Sequence, residues 1–215
     1  MQIKFGHLSK KFYLMNVKHL LTAGVDEAGR GCLAGPVVAS AVIWPEGFQL
    51  KGLTDSKKLN ANKRASFRKK LEETLPKGSW AIGVSSSEEI DKINILEATF
   101  LAMHRAIAKL KPKPNLLLID GNRFRPYLNI TYRCEIKGDA RFQAISAASI
   151  FAKTYRDQIM LEAHLENPQY EWRANKGYPS RKHKIAMMKY GLSKIHRKSF
   201  KWQNPEIKKD LEINE

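Results

Sequence analysis

The chain has 215 residues, enough for one domain with a sizeable core, and 43% of them are hydrophobic, which argues against disorder. Thirty-eight Lys and Arg against 21 Asp and Glu give a net charge of +17, an excess that favours a polyanion such as nucleic acid. The apolar runs are too short or too broken by Gly and Pro to span a membrane, the start lacks a signal-peptide core, and two isolated cysteines, Cys32 and Cys134, suit a reducing cytoplasm.

Residues 1–19 read as a basic extension with Lys4, Lys10, Lys11 and Lys18, a solubilising arm or short edge strand. From Leu20 an apolar run leads into Asp26 and Glu27. A bend with Gly29, Gly31 and Gly35 follows, and a second apolar run, Val37 to Trp44. β-Branched runs around a glycine-rich bend predict two strands joined by a turn. Adjacent carboxylates at the end of a buried strand are costly unless paired, and a divalent cation is one partner that holds both. By themselves they read better as an ordinary acidic turn after a strand.

Next, Leu53-Thr54-Asp55-Ser56-Lys57-Lys58-Leu59 precedes a helix marked by Phe67, Leu71 and Leu75, capped by Asp55 or Asn60. Trp80 to Ser85 reads as a third strand. Ser86 and Glu89 have capping-box spacing ahead of a helix whose core stripe is Ile90, Ile93, Leu96, Phe100, Met103, Ile107 and Leu110, ended by Pro112 and Pro114. Asn115 to Asp120, NLLLID, is a strand of the kind covered on both faces. Its terminal acid sits where open α/β sheets place ligands, or serves a turn. Ile130 to Ile136 predicts a further strand. Lys137-Gly138-Asp139 then leads into a helix from Ala140 to about Leu165, in which Ala144, Ala147, Ala148 and Ala152 permit close packing on the sheet. Strands interleaved with two long helices indicate one mixed α/β layer fold.

Read as a whole, TAGVDEAGRGCLAGPVV resembles the opening motif of ribonuclease HII, of the type 2 ribonucleases H, whose pattern is G-[VI]-D-E-[AV]-G-R-G-P-L-A-G-P-V. Gly24, Asp26, Glu27, Gly29, Arg30, Gly31, Leu33, Ala34, Gly35, Pro36 and Val37 fall in register, and Cys32 replaces the usual Pro. Further matches are D-S-K-K-L at Asp55 to Leu59 and K-G-D at Lys137 to Asp139. Then come the helix carrying Ser146, Ala147, Ala148, Ser149, Ile150, Ala152, Lys153, Arg156 and Asp157, G-Y-P-S at Gly177 to Ser180, and H-R-K-S-F at His196 to Phe200. The resemblance covers about residues 20–200, leaving 201–215 as a tail.

The resemblance implies a ribonuclease H-like fold: a central mixed β-sheet flanked by helices, with a helical C-terminal part. It also implies a catalytic, metal-holding set of Asp26, Glu27, Asp120 and Asp139. Oxygen ligands without His or Cys favour Mg²⁺ or Mn²⁺ over zinc, two ions roughly 3.5–4 Å apart for phosphodiester hydrolysis. Backbone groups of Gly29, Arg30 and Gly31 and the hydroxyl of Tyr178 are expected to read a ribose 2′-OH, with Ser56 and Lys57 near the substrate backbone. Lys153, Arg156, Asp157, His196 and Arg197 are supporting residues. The implied substrates are RNA–DNA hybrids and duplex DNA containing a ribonucleotide, cut on its 5′ side to leave a 3′-hydroxyl and a 5′-phosphate, by a cytoplasmic enzyme of which nothing demands more than a monomer.

Cys32 relaxes the φ restriction that Pro would impose, with a modest effect expected on loop rigidity. Two alternatives stand beside this reading. One is a ribonuclease HIII-like hybrid nuclease, which usually carries G-K-G at the loop and a longer N-terminal domain than 19 residues allow. The other is a non-catalytic nucleic-acid-binding protein.

Overall fold

The computed structural model describes residues 21–54 and 56–202; the expected N-terminal extension, the tail beyond 202, Asp55 and the side chain of Lys57 lie outside the described residues. Five strands form one mixed sheet: β1 (Thr22–Ala28), β2 (Val37–Ile43), β3 (Trp80–Ser85), β4 (Leu116–Asp120) and β5 (Thr131–Glu135), in the order β3-β2-β1-β4-β5. β1 pairs antiparallel with β2 and parallel with β4. β2–β3 is antiparallel and β4–β5 parallel. The helices are α1 (Ala61–Thr74), α2 (Ser87–Lys109), α3 (Gln143–Glu166), α4 (Trp172–Asn175) and α5 (Arg181–Tyr190).

Successive strand residues face opposite sides of the sheet, and the two sides have different tenants. Ala23, Val25, Ala39, Ala41, Leu117 and Ile119 pack with Ile90, Phe100, Met103 and Ile107 of α2. On the other side Val42 joins Leu71 of α1 and Ala147, Ala148 and Phe151 of α3. The alanines of α3 serve the close approach that its sequence predicts: an added Cβ at Gly24 would lie 2.2 Å from the main-chain carbon of Ala144. A third cluster joins Leu33 and Ala34 of the bend to Met160, Tyr170, Trp172 and Met187, anchoring the C-terminal helices.

The strands predicted at 80–85, 115–120 and 130–136 are found within a residue of those limits. Asn60 caps α1, accepting from Lys63 N at 2.9 Å, and the Ser86–Glu89 capping box closes both ways. Two expectations are corrected. Ile93 does not belong to the buried stripe; it is exposed, because Asn94 adopts a φ of 65° that breaks the helical period, and its Oδ1 caps the following turn at Leu96 N. Residues 138–140 form a separate 3₁₀ turn, so the helix expected from Ala140 begins at Gln143 and Asp139 lies outside it.

Because the neighbour that a Cβ at Gly24 would meet is helix main chain, relief requires moving α3 off the sheet. Gly24→Ala should therefore lower Tm by about 5 °C. A thermal melt matching wild type would show that α3 is not seated so closely.

Candidate active site

Asp26 and Asp120 end adjacent parallel strands. The register Val25↔Ile119 brings the next residue of each side by side, on the face that α3 covers. Asp139 arrives from the 3₁₀ turn. Its neighbour Gly138 donates its N–H to Asp120 Oδ1 at 2.8 Å, and Ser146 of α3 donates to the Asp139 carbonyl at 2.5 Å. One carboxylate oxygen from each of Asp26, Asp120 and Asp139 lies within 4.8 Å of the others. Burial, then the charges of Glu27 and Asp120, hold the Asp26 carboxyl well above the usual carboxylate range, opposed in part by a hydrogen bond from Ser149. Three converging carboxylates, one of them held above its usual pKa, offer oxygen donors only and fit a hard divalent cation.

Glu27 is separate from this trio. As the next residue of β1 it faces α2, in a cleft of about 30 Å³ with Thr99, Phe100, Met103 and Arg30, where Asp120 also reaches. Arg30 Nη1 lies 3.4 Å from Glu27 Oε1. A far larger groove, about 1240 Å³ between Trp44, Phe48 and Phe142, opens at the opposite end of the sheet and is lined by none of the predicted residues.

The bend after β1 is held from beneath by two buried arginines that face main-chain carbonyls. Arg197 donates to the carbonyls of Gly35 (2.9 Å), Arg30 (2.8 Å) and Gly29 (2.7 Å). Arg156 donates to those of Pro36 (2.9 Å), Ala34 (3.0 Å) and Lys176 (2.8 Å). Burial, with Arg156 close by, brings the Arg197 guanidinium down to about 10. In a trans peptide the N–H points opposite to the carbonyl. With the Gly29 and Arg30 carbonyls turned inward, the N–H groups of Arg30 and Gly31 face out, and both residues are exposed. Gly29 is required where it stands: φ is +98°, and a Cβ would lie 2.0 Å from Arg156 Nε. Arg156 and Arg197, expected as supporting residues, are placed beneath the bend and bonded to its main chain.

Tyr178 stands across this bend, its segment tied in by Leu33 N to Gly177 O at 2.7 Å. Its hydroxyl and the Cys32 thiol are hydrogen bonded, and burial raises both groups above their ordinary pKa values. Lys153 pairs with Asp157 at 2.7 Å and lies 5.9 Å from the Tyr178 ring centre. His196 is buried against His183, and burial with that neighbour lowers it to about 4. The Ser56 hydroxyl is buried and meets Ser149 Oγ at 2.8 Å, so it faces the support of Asp26.

Sequence reading placed Ser149 in the family motif without its contact to Asp26, and missed His183 and the thiol contact of Cys32. Two serines three apart on an alanine-rich helix face, Ser146 and Ser149, were a usable signal. His183 within Arg-Lys-His-Lys looks like a solvated face and gave none.

A family model described as Ribonuclease HII matches residues 23–203. A ribonuclease HII of Parabacteroides distasonis is 54% identical over 180 residues, covering 84% of this chain and 89% of that protein. One from Bacteroides fragilis is 52% identical over 183 residues, 85% of this chain and 90% of its own. Among solved structures, the ribonuclease H2 from Pyrococcus horikoshii aligns with a TM-score of 0.70 at 26% identity, covering 89% of this chain and 98% of that one. Fold and relatives together define a nuclease of the ribonuclease H type, built on the ribonuclease H-like fold. Within that class, the chain belongs to the ribonuclease HII family, which sets aside both the ribonuclease HIII-like alternative and the non-catalytic one.

The raised carboxyl of Asp26 has a consequence for stability. A carboxyl whose folded pKa exceeds its unfolded value opposes folding once pH passes the unfolded value, so stability falls as pH rises through that window. Asp26→Asn removes the charge. In EDTA at pH 7 it should raise Tm by about 3 °C, while adding Mn²⁺ should stabilise the variant less than wild type. A lower Tm in EDTA would mean that the carboxylate is structurally paired.

Proposed function

We propose that this enzyme hydrolyses the phosphodiester on the 5′ side of ribonucleotides embedded in duplex DNA, and the RNA strand of RNA–DNA hybrids, leaving a 3′-hydroxyl and a 5′-phosphate. The observation that carries the reading is the convergence of Asp26, Asp120 and Asp139 within 4.8 Å, three residues before a bend that offers outward N–H groups.

Asp26, Glu27, Asp120 and Asp139 would hold two Mg²⁺ or Mn²⁺ ions, which would supply activation of water and stabilisation of the leaving oxygen. Each side chain has a distinct part. The Glu27 N–H, which donates to Asp26 Oδ1 at 2.7 Å, and a hydrogen bond from Ser149 orient the Asp26 carboxylate. Gly138 N–H does the same for Asp120. Glu27, on the other sheet face, approaches from the cleft shared with Asp120.

Recognition is separate from this chemistry. Telling RNA from DNA requires a contact to the 2′-hydroxyl. The N–H groups of Arg30 and Gly31 and the phenol of Tyr178 supply donors on the two sides of one sugar. Glycine at 31 leaves room for it, since nothing lies within 4 Å of the Cβ position there. Ser56 acts through Ser149 and Asp26, and Lys57 meets the substrate backbone. The excess of Lys and Arg draws in the duplex, so affinity should fall steeply with salt. Residues 20–200 form the catalytic domain, flanked by a basic extension and a tail. The enzyme works as a cytoplasmic monomer; among the described residues no helix is long and apolar enough to cross a membrane.

The test is a duplex with one ribonucleotide in one DNA strand, with Mn²⁺ or Mg²⁺. Wild type should cut on the 5′ side of that residue. Asp26→Asn and Asp139→Asn should each lose about 10²–10³-fold in rate, as expected when an electrostatic participant is removed. Cutting by Asp139→Asn at the wild-type rate would exclude Asp139 from the centre. Activity confined to longer hybrid tracts would refute the single-ribonucleotide substrate.

Position 32 gives a second prediction. Cys32→Pro restores the usual family residue but removes the thiol beside Tyr178 and the weak Cys32 N to Gly29 O bond of 3.4 Å. It should keep kcat within about threefold, because neither group touches the carboxylates. A loss of two orders of magnitude would place Cys32 in the chemistry itself.

A further inference from the structure

Two buried histidines join the parts of the proposed sugar-reading site, and their hydrogen bonds leave one consistent arrangement of protons. Ser193 N–H donates to His196 Nδ1 at 2.8 Å, so that nitrogen carries a lone pair and the neutral ring keeps its proton on Nε2. His196 Nε2 lies 3.1 Å from His183 Nε2, which also receives the indole N–H of Trp172 at 3.0 Å. An indole nitrogen only donates. His183 Nε2 is therefore the acceptor, its one lone pair shared between the two donors, and its own proton sits on Nδ1, facing the Tyr178 carbonyl at 2.9 Å. Every polar atom of the relay is satisfied, and the two rings are 0% and 1% exposed.

The relay links positions far apart in sequence. At one end His183 fixes the main chain of Tyr178. At the other, His196 is followed directly by Arg197, whose guanidinium holds the carbonyls of Gly29 and Arg30, while the main chain of His196 bridges to Ala34 of the same bend. The separation between the Tyr178 phenol and the outward N–H groups of the bend is thus set through His183–His196.

We infer that His183 is a positioning residue for ribose recognition: it holds Tyr178 at the spacing from the Gly29–Gly31 bend that a ribonucleotide sugar requires. This rests on the proposed reading of Tyr178 as a contact to the 2′-hydroxyl. A histidine buried only for core packing would support the helices without favouring one sugar over another, which is what separates the two roles.

Affinity for a duplex with one ribonucleotide is compared with that for the all-DNA duplex, in Ca²⁺ to limit turnover, and KM and kcat are measured in Mn²⁺. His183→Leu should reduce the ribonucleotide preference on the order of tenfold, with most of the kinetic loss in KM. His183→Asn, whose side-chain N–H can still meet the Tyr178 carbonyl, should recover most of the preference. Tyr178→Phe is measured alongside. If it lowers the preference and His183→Leu does not, the positioning role fails while the Tyr178 reading stands. If Tyr178→Phe leaves the preference unchanged, the reading itself falls and this inference with it. Equal losses in KM and kcat, without recovery by Asn, would reduce His183 to a packing residue and overturn the proposal. Imidazole ¹⁵N–¹H NMR of the wild-type protein gives a check independent of variant folding: Nδ1–H at His183 and Nε2–H at His196 are expected, and the opposite tautomers would overturn the relay.

Discussion

Holding acids together against their own repulsion is the constraint around which this fold is arranged. Carboxylate oxygens of Asp26, Asp120 and Asp139 gather within 4.8 Å, and each ionised pair at such a separation costs on the order of 3 kcal/mol at the effective dielectric of a protein. No local feature could bear that alone. Two acids are fixed by the pairing of neighbouring parallel strands, and the third by a short turn clamped to Asp120 through Gly138 N–H and to α3 through Ser146. The absence of a side chain at Gly24 lets α3 settle on the sheet, and it is α3 that brings Ser149 to Asp26. Packing of the small residues is therefore coupled to the electrostatics of the centre, and stability is given up locally where a cation is to bind.

The same logic appears with opposite sign beneath the bend. Buried guanidinium groups are usually met by carboxylates, yet Arg156 and Arg197 turn theirs to six main-chain carbonyls. A carboxylate there would add charge beside a centre already rich in it. Carbonyl dipoles satisfy the arginines without a net negative charge and, by turning inward, orient the alternate N–H groups outward. One interaction thus solves a burial problem and sets the conformation of the bend. It also explains why helices at the end of the chain are needed: Arg197 and Tyr178 both come from beyond residue 170, and the Leu33–Met187 cluster fastens that region to the bend.

Much of the fold was legible because its signals are local. The short run Trp80 to Ser85 read as a strand with the limits that β3 has, and the Ser86–Glu89 spacing forecast a capping box that closes as expected. The acids were legible as candidates through their place at strand ends and through the family motif. What the sequence could not display were pairings across long separations. Nothing near Ile93 announces that Asn94 will leave the helical region, since Asn is compatible with either conformation. Ser149 meets Ser56 across 93 positions, and His183 meets His196 inside a core that its lysine and arginine neighbours disguise. The division of Asp26 from Glu27 onto opposite faces follows from strand geometry, but only once the strand is known to extend through both.

Cys32 shows how a departure from the family pattern can be accommodated at a sensitive place. A Pro would hold the bend through its fixed φ; a Cys gives up that restraint. Here the bend is already held by two arginines and by Leu33 and Gly35 hydrogen bonds to the C-terminal region, so the lost rigidity is supplied elsewhere. What the thiol adds is a contact to the Tyr178 hydroxyl. Sulfur is a weak hydrogen-bond partner, so it orients the phenol while competing little with a sugar hydroxyl that arrives in its place. On the proposed reading of Tyr178, the substitution exchanges restraint of the main chain for pre-orientation of the side chain, and the recognition geometry survives the change because His183 and Arg197 fix its two ends independently of position 32.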